Sequence, residues 1–259
     1  MLIDSHCHLD RLDLEPYQGE FSRFVQETQS KQLEHMLCVG INMEAYPDMC
    51  QLVDAYSSIS VSVGVHPNET RGYEPTVAEL VSQAESVKVV AIGETGLDYF
   101  RSEGDLEWQK QRFRTHIRAA KEANKPLIIH TRQAKEDTLS ILAEEEAGRV
   151  GGVLHCFAED WDMAYRALDL NFYVSFSGIV TFKNAHDVHE VAKKIPEDRF
   201  LIETDSPWLA PVPFRGKPNY PHYVQHVAEG VADLRGTSLN NIADTTTRNF
   251  HTLFNPVSI

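Results

Sequence analysis

Eight short apolar runs, separated by stretches of helical length, predict an α/β fold: a closed (β/α)8 TIM barrel with its active site at the C-terminal face of the strands. Two further observations favour that arrangement over an open doubly wound sheet. No Gly-rich G-x-G-x-x-G turn follows the first run. Residues able to carry chemistry also fall repeatedly just after the runs, which a barrel gathers at one mouth. The runs lie near 2–5, 35–39, 59–65, 88–92, 126–129, 151–154, 172–176 and 199–202. The intervals read as helices. In Leu106 to Ala123, for instance, Trp108, Phe113, Ile117 and Ala120 recur at helical spacing, and the short interval Trp161 to Leu170 still allows three turns.

Each run delivers its polar residues in order. Run one leads through Leu2-Ile3-Asp4-Ser5 into His6-Cys7-His8. Alternation along a strand turns His6 and His8 to one face and Cys7 to the other, making a two-imidazole pincer for a transition metal. Run three ends in Gly64-Val65-His66-Pro67 and run four in Gly93-Glu94-Thr95-Gly96-Leu97-Asp98. Run five ends in His130-Thr131-Arg132, run six in His155-Cys156-Phe157, and run eight in Glu203-Thr204-Asp205-Ser206-Pro207. Structural histidines scattered through a fold have no reason to choose the same end of separate strands.

The chain has 259 residues, suited to one domain over 1–259, and no linker or low-complexity tract divides it. No apolar run approaches the roughly 20 residues of a membrane helix. Candidate ligands beginning at residue 6 leave no place for a cleaved secretory signal, so the expected location is cytoplasmic. Cys7, Cys38, Cys50 and Cys156 have no C-x-x-C spacing and read as free thiols in a reducing compartment. The formal net charge of −14 argues against a protein that coats nucleic acid. It leaves room for a locally positive cleft, since two divalent ions add about four charges at one point. Acidic runs such as Glu144-Glu145-Glu146 are most simply solvated helix faces.

Four imidazoles with carboxylates exceed the needs of one catalytic zinc, which usually takes three protein ligands. The set suits two divalent ions, with Glu94 bridging. His6, His8 and Asp205 then complete one site, and His130 and His155 the other. Mixed imidazole and carboxylate ligation suits zinc, manganese, iron or cobalt, whereas a pure magnesium site is usually richer in oxygen. The ion is left open among zinc, manganese, magnesium, iron and cobalt.

These motifs together, with Phe176-Ser177-Gly178 after run seven and a closing Thr247-Arg248-Asn249-Phe250 segment, resemble the TatD family of metal-dependent hydrolases over essentially the whole chain. Within it they are most like the YcfH-like branch. The resemblance implies a barrel of the amidohydrolase superfamily, a two-metal site and phosphodiesterase activity, in the family a 3′→5′ exonuclease on single-stranded DNA. DNA, as single strands or 3′ ends, is thus the expected substrate. Glu94 stands where many amidohydrolases use a carbamylated lysine, as in the TatD branch.

Three residues are expected at the chemistry besides the metals: Asp205 to accept or relay the proton of the attacking water, His66 on a phosphate oxygen or the leaving group or behind the ligands, and Glu203 to hold a ligand histidine or a water. Asp4 is expected to be supportive. Arg132, Lys183, Arg215 and Lys217 are candidate phosphate contacts, with Trp208 or Tyr99 as base-stacking surfaces. The chain departs from the family pattern at Tyr220, where an acidic or amide residue is common, and at Trp208, where Tyr is commoner. Two other functions stay open on the residues alone: a hydrolase of a small amide, ester or lactone on the same scaffold, and a non-catalytic binding protein.

Overall fold

In the computed structural model, which describes residues 1–255, every expected run is a strand. The last four residues of the domain expected over 1–259 lie outside the described ones. The strands are β1 (Leu2–Cys7), β2 (Leu33–Cys38), β3 (Ile59–Val63), β4 (Val89–Asp98), β5 (Leu127–Arg132), β6 (Gly152–Leu154), β7 (Phe172–Phe176) and β8 (Phe200–Ile202). They form one sheet in sequence order, each pair parallel. The sheet closes on itself just beyond β8: Cys7 bridges Ser206, the Asp205 amide donates to the His6 carbonyl at 3.0 Å, and the His8 amide donates to the Ser206 carbonyl at 2.8 Å. A (β/α)8 barrel results.

Helices occupy the crossovers: α1 (Phe21–Ser30), α2 (Tyr46–Val53), α3 (Val77–Ala84), α4 (Glu107–Ala123), α5 (Lys135–Glu144), α6 (Trp161–Asp169), α7 (His186–Lys194) and α8 (Val224–Arg235), with a further α9 (Leu239–Phe254). Local chemistry sets several starts. Thr76 and Glu79 form a reciprocal capping box on α3, and Asp160 accepts from the Met163 amide at the start of α6. On α4 the predicted Phe113, Ile117 and Ala120 are buried, whereas Trp108 is half-buried beneath the Arg112 guanidinium, 4.9 Å from the ring centre.

Two apolar cores divide the work. The larger lies between sheet and helices. The smaller fills the barrel with Ile3, Leu37, Val90, Ile128, Val153, Tyr173 and Leu201, joined by Phe250 and Phe254 from α9. Ile3 belongs to the inner cluster and Cys7 to the outer one, so simple alternation does not run through β1. A register irregularity between Asp4 and Cys7 shifts the parity and turns His6 and His8 toward the mouth. No helix among the described residues is long and apolar enough to cross a membrane.

Candidate metal centre

Because parallel strands all end on one face, residues separated by up to 199 positions meet above the inner core. Glu94, deep in β4 and almost fully buried, stands at the centre. Its two carboxylate oxygens serve different groups. Oε2 lies 3.3 Å from His6 Nε2 and 3.9 Å from His8 Nε2. Oε1 lies 2.8 Å from His155 Nε2, 3.0 Å from His130 Nδ1 and 3.2 Å from His66 Nε2. Asp205 closes the first group, with Oδ1 3.5 Å from His8 Nε2 and 3.8 Å from His6 Nε2. Asp205 sits at φ +56°, outside β8, so a turned backbone rather than strand alternation aims its side chain.

The rings are oriented from behind. His8 Nδ1 donates to the Val39 carbonyl at 3.1 Å, leaving Nε2 bare and inward. His155 Nδ1 donates to Glu203 Oε1 at 3.2 Å, and the same oxygen accepts from the Cys156 amide at 2.9 Å. His130 uses the opposite tautomer: Nε2 donates to Asp98 Oδ2 at 3.2 Å and Nδ1 points at Glu94. An imidazole whose outer nitrogen donates presents a lone pair inward, as a metal requires. His6, stacked on His155 with ring centres 3.9 Å apart, leaves its buried Nδ1 without a partner among the described residues.

The field of the site favours positive charge. Burial opposes protonation of His155, yet Glu94 and Glu203 hold its ring well above the ordinary histidine value. Burial would likewise push Glu94 up, but His155, His66 and His130 hold it well below the usual carboxylate range. Imidazole nitrogens turned inward around a buried carboxylate, each able to give up its proton to a metal, are a donor set that fits divalent cations. His6, His8 and Asp205 form one group close enough to share an ion; His66, Glu94 and His130 form a second, and His6, His155 and Glu203 a third.

The model of the family described as TatD related DNase matches residues 3–255. The chain belongs to the TatD family. It is 46% identical to the metal-dependent hydrolase YcfH of Escherichia coli K12, covering 98% of this chain and 95% of that protein. It is 42% identical to the metal-dependent hydrolase YabD of Bacillus subtilis, over 98% of this chain and 99% of that one. The crystal structure of YjjV, a TatD homologue from E. coli K12, superposes with a TM-score of 0.90 at 27% identity, covering 98% of both chains. As a TatD protein this chain is a metal-dependent hydrolase.

Among the expected site residues, His6, His8, His66, Glu94, His130, His155, Glu203 and Asp205 come together. Asp4 does not reach the mouth; it accepts from the Thr204 amide and hydroxyl and ties β1 to the segment after β8. Arg132, Lys183, Arg215 and Lys217 are exposed, and none has a carboxylate partner at ion-pairing distance among the described residues. Arg132 lies over Phe100, 3.8 Å from the ring centre, and Arg215 over Phe182 at 4.4 Å. Trp208 is 47% exposed and meets His8 edge-on at 5.0 Å, whereas the Tyr99 hydroxyl is committed to Asp137 at 2.6 Å. Tyr220 is buried, its hydroxyl donating to the Asp13 carbonyl, so the departure there lies in the packing beneath the loop.

Asp98 and Asn68 also belong to the site, behind His130, and the sequence pattern does not single them out. Asp98 closes the run that contains Glu94, and Asn68 lies two residues after His66, but their partners are distant in the chain.

Proposed function

We propose that this TatD protein is a two-metal phosphodiesterase that trims DNA from the 3′ end of single strands. The observation that carries the reading is the division of Glu94, one oxygen toward His6 and His8 and the other toward His130 and His155. A carboxylate so placed suits a bridge between two ions, with His6, His8 and Asp205 holding the first and His130 and His155 the second. When bound, such ions lower the pKa of water and neutralise charge on phosphoryl oxygens.

The chain's own residues would act around that chemistry. Asp205, with its side chain 14% exposed at the open side of the group, takes a proton from the attacking water on a carboxylate oxygen. Glu203 acts through His155, fixing which ring nitrogen carries hydrogen. The unpaired cations Arg132, Lys183, Arg215 and Lys217 supply phosphate contacts, and exposed Trp208 a face on which a base can stack. These cations, without carboxylate partners among the described residues, support phosphate over a neutral substrate. The net charge of −14 favours instead a small amide, ester or lactone, because the same activated water attacks a carbonyl.

The test is metal-stripped protein reconstituted separately with magnesium, manganese and zinc, acting on end-labelled single-stranded DNA. A metal-dependent ladder receding from the 3′ end, lost in Asp205→Asn, is the expected result. Intact DNA beside hydrolysis of a nitrophenyl ester or a lactone would assign the site to the carbonyl substrates.

A further inference from the structure

Of the five histidines around Glu94, one is wired backwards. His8, His130 and His155 each donate from the outer nitrogen, to a carbonyl or a carboxylate. His66 instead accepts: the Asn68 backbone amide donates to its Nδ1 at 3.0 Å. A backbone N–H can only donate, so Nδ1 bears no hydrogen and the hydrogen of the neutral ring sits on Nε2, the nitrogen facing Glu94. A nitrogen that carries hydrogen has no lone pair for a metal. Proximity groups His66 with Glu94 and His130 as a possible ion site, but the hydrogen-bond direction excludes it from the ligands.

We propose that His66 is a fixed hydrogen-bond donor, outside the ligand set, whose Nε2–H meets an oxygen of the scissile phosphate. The phosphate in this assignment rests on the function proposed above; the non-ligand tautomer does not. The side chain is 20% exposed while Glu94 is 2%, so His66 stands on the solvent side of the carboxylate, where substrate arrives. Of the three nitrogens around Glu94 Oε1, those of His155 and His130 are nearer to it than that of His66.

Its placement is rigid. The His66 amide donates to the Ile41 carbonyl, and its carbonyl accepts from the Glu69 amide and from Arg112 Nη1 at 2.7 Å. Arg112 is itself clamped by Glu74. Pro67 offers no N–H, which makes the Asn68 amide the first backbone donor after the ring. Asn68 thereby sets two tautomers at once. Its backbone holds His66 as an inward donor, while its side-chain amide donates to Asp98 Oδ2 at 2.7 Å, and that same oxygen holds His130 as an inward acceptor.

The experiment is a long-range proton–nitrogen correlation on protein labelled at histidine with ¹⁵N, metal-free and zinc-loaded, with His66→Ala to assign the signal. The expected result is His66 protonated on Nε2 and bare on Nδ1 in both states, while zinc shifts the inward nitrogens of His8, His130 and His155. In parallel, His66→Ala should bind as many zinc ions per chain as the parent, within threefold in affinity, and lose roughly 10–100-fold in kcat/KM on a phosphodiester. His66→Gln, which retains an amide donor, should recover part of that loss. A zinc-induced shift at His66 Nε2, or one fewer ion in His66→Ala, overturns the proposal. Correct tautomers with no turnover of any phosphodiester by the parent would overturn the phosphate assignment alone.

Discussion

Asp98 Oδ2 accepts from His130 Nε2 at 3.2 Å, on the far side of the ring from Glu94. Burial would raise the Asp98 pKa, but His130, Asn68 and the Arg101 amide hold the group below the usual carboxylate range. The carboxylate therefore stays an acceptor, and the hydrogen of His130 stays on the outer nitrogen. Asp98→Asn would place an amide against a ring nitrogen that needs an acceptor. Metal affinity at the site using His130 is expected to fall by roughly 10–100-fold, with the fold intact. Competition with a chromophoric chelator measures this, and equal affinity in the two proteins would show that Asp98 does not set the ring.

Metal removal should also be visible in stability. The buried donors around Glu94 bind cations in the folded chain and are dispersed in the unfolded one. A ligand at a hundredfold excess over its Kd stabilises by about 2.7 kcal/mol. For a chain of this size that corresponds to about 5–10 °C in Tm for each ion. Chelation should lower Tm by that amount and added zinc or manganese should restore it. Superimposable melts would mean that the centre does not hold ions at working concentration.

Much of this was legible from residue order alone. Parallel topology forces strand ends onto one face, so a histidine or carboxylate just after an apolar run is placed without knowing any contact. His6, His8, Glu94, His130, His155 and Asp205 were readable for that reason. Residues whose role depends on a partner across the barrel were not. Asp98 belongs with His130, 32 positions on, and Asn68 matters through the direction of one backbone hydrogen bond. The parity change inside β1 was equally hidden, since an irregularity of register leaves no mark on the pattern Leu2–His8. The contact of the Tyr99 hydroxyl with Asp137 was hidden too, since a sequence does not position the two side by side.

Asp4 ties the two ends of the sheet together where the barrel closes. This fully buried side chain accepts from the Thr204 amide at 2.9 Å and its hydroxyl at 2.5 Å, and from the His6 amide at 3.3 Å. Asp4→Ala would leave buried donors without acceptors, each costing about 1–3 kcal/mol. A loss of about 3 kcal/mol is expected in urea unfolding of the metal-free protein, with unchanged m. A midpoint equal to the parent's would mean that the closure is held by its backbone hydrogen bonds alone.

Acid sensitivity is expected from His116, which lies behind the segment that carries His66. Burial pushes its pKa down to about 4. Its Nε2 accepts from the Val65 amide at 3.0 Å and its Nδ1 donates to the Arg112 carbonyl at 2.8 Å, so an added proton would face an N–H. The unfolded chain, with an ordinary histidine value near 6.5, takes up that proton more readily. The stabilisation is therefore full above about pH 6.5 and is lost as pH falls toward 4, by about 3 kcal/mol. His35, also pushed by burial down to about 4, acts in the same direction. Urea unfolding of metal-free protein from pH 7 to 4 should give a shallower pH dependence in His116→Gln; identical slopes would rule His116 out as the source.

The mouth cations separate DNA from small substrates. Arg132 and Arg215 rest on Phe100 and Phe182, which fixes their direction without neutralising them. A cation held on an aromatic face remains available to phosphate, whereas one paired with a carboxylate must first lose its partner. Arg132→Ala and Arg215→Ala should each raise KM for a single-stranded oligonucleotide by roughly 3–10-fold. Each should also reduce the slope of log affinity against log salt by about 0.7, the counterion release of one single-strand phosphate contact. Neither should change zinc content or turnover of a nitrophenyl phosphodiester, which has no flanking phosphates for them to hold. Equal losses on the long and short substrates would place these arginines in the support of the metal centre and not in the grip on DNA.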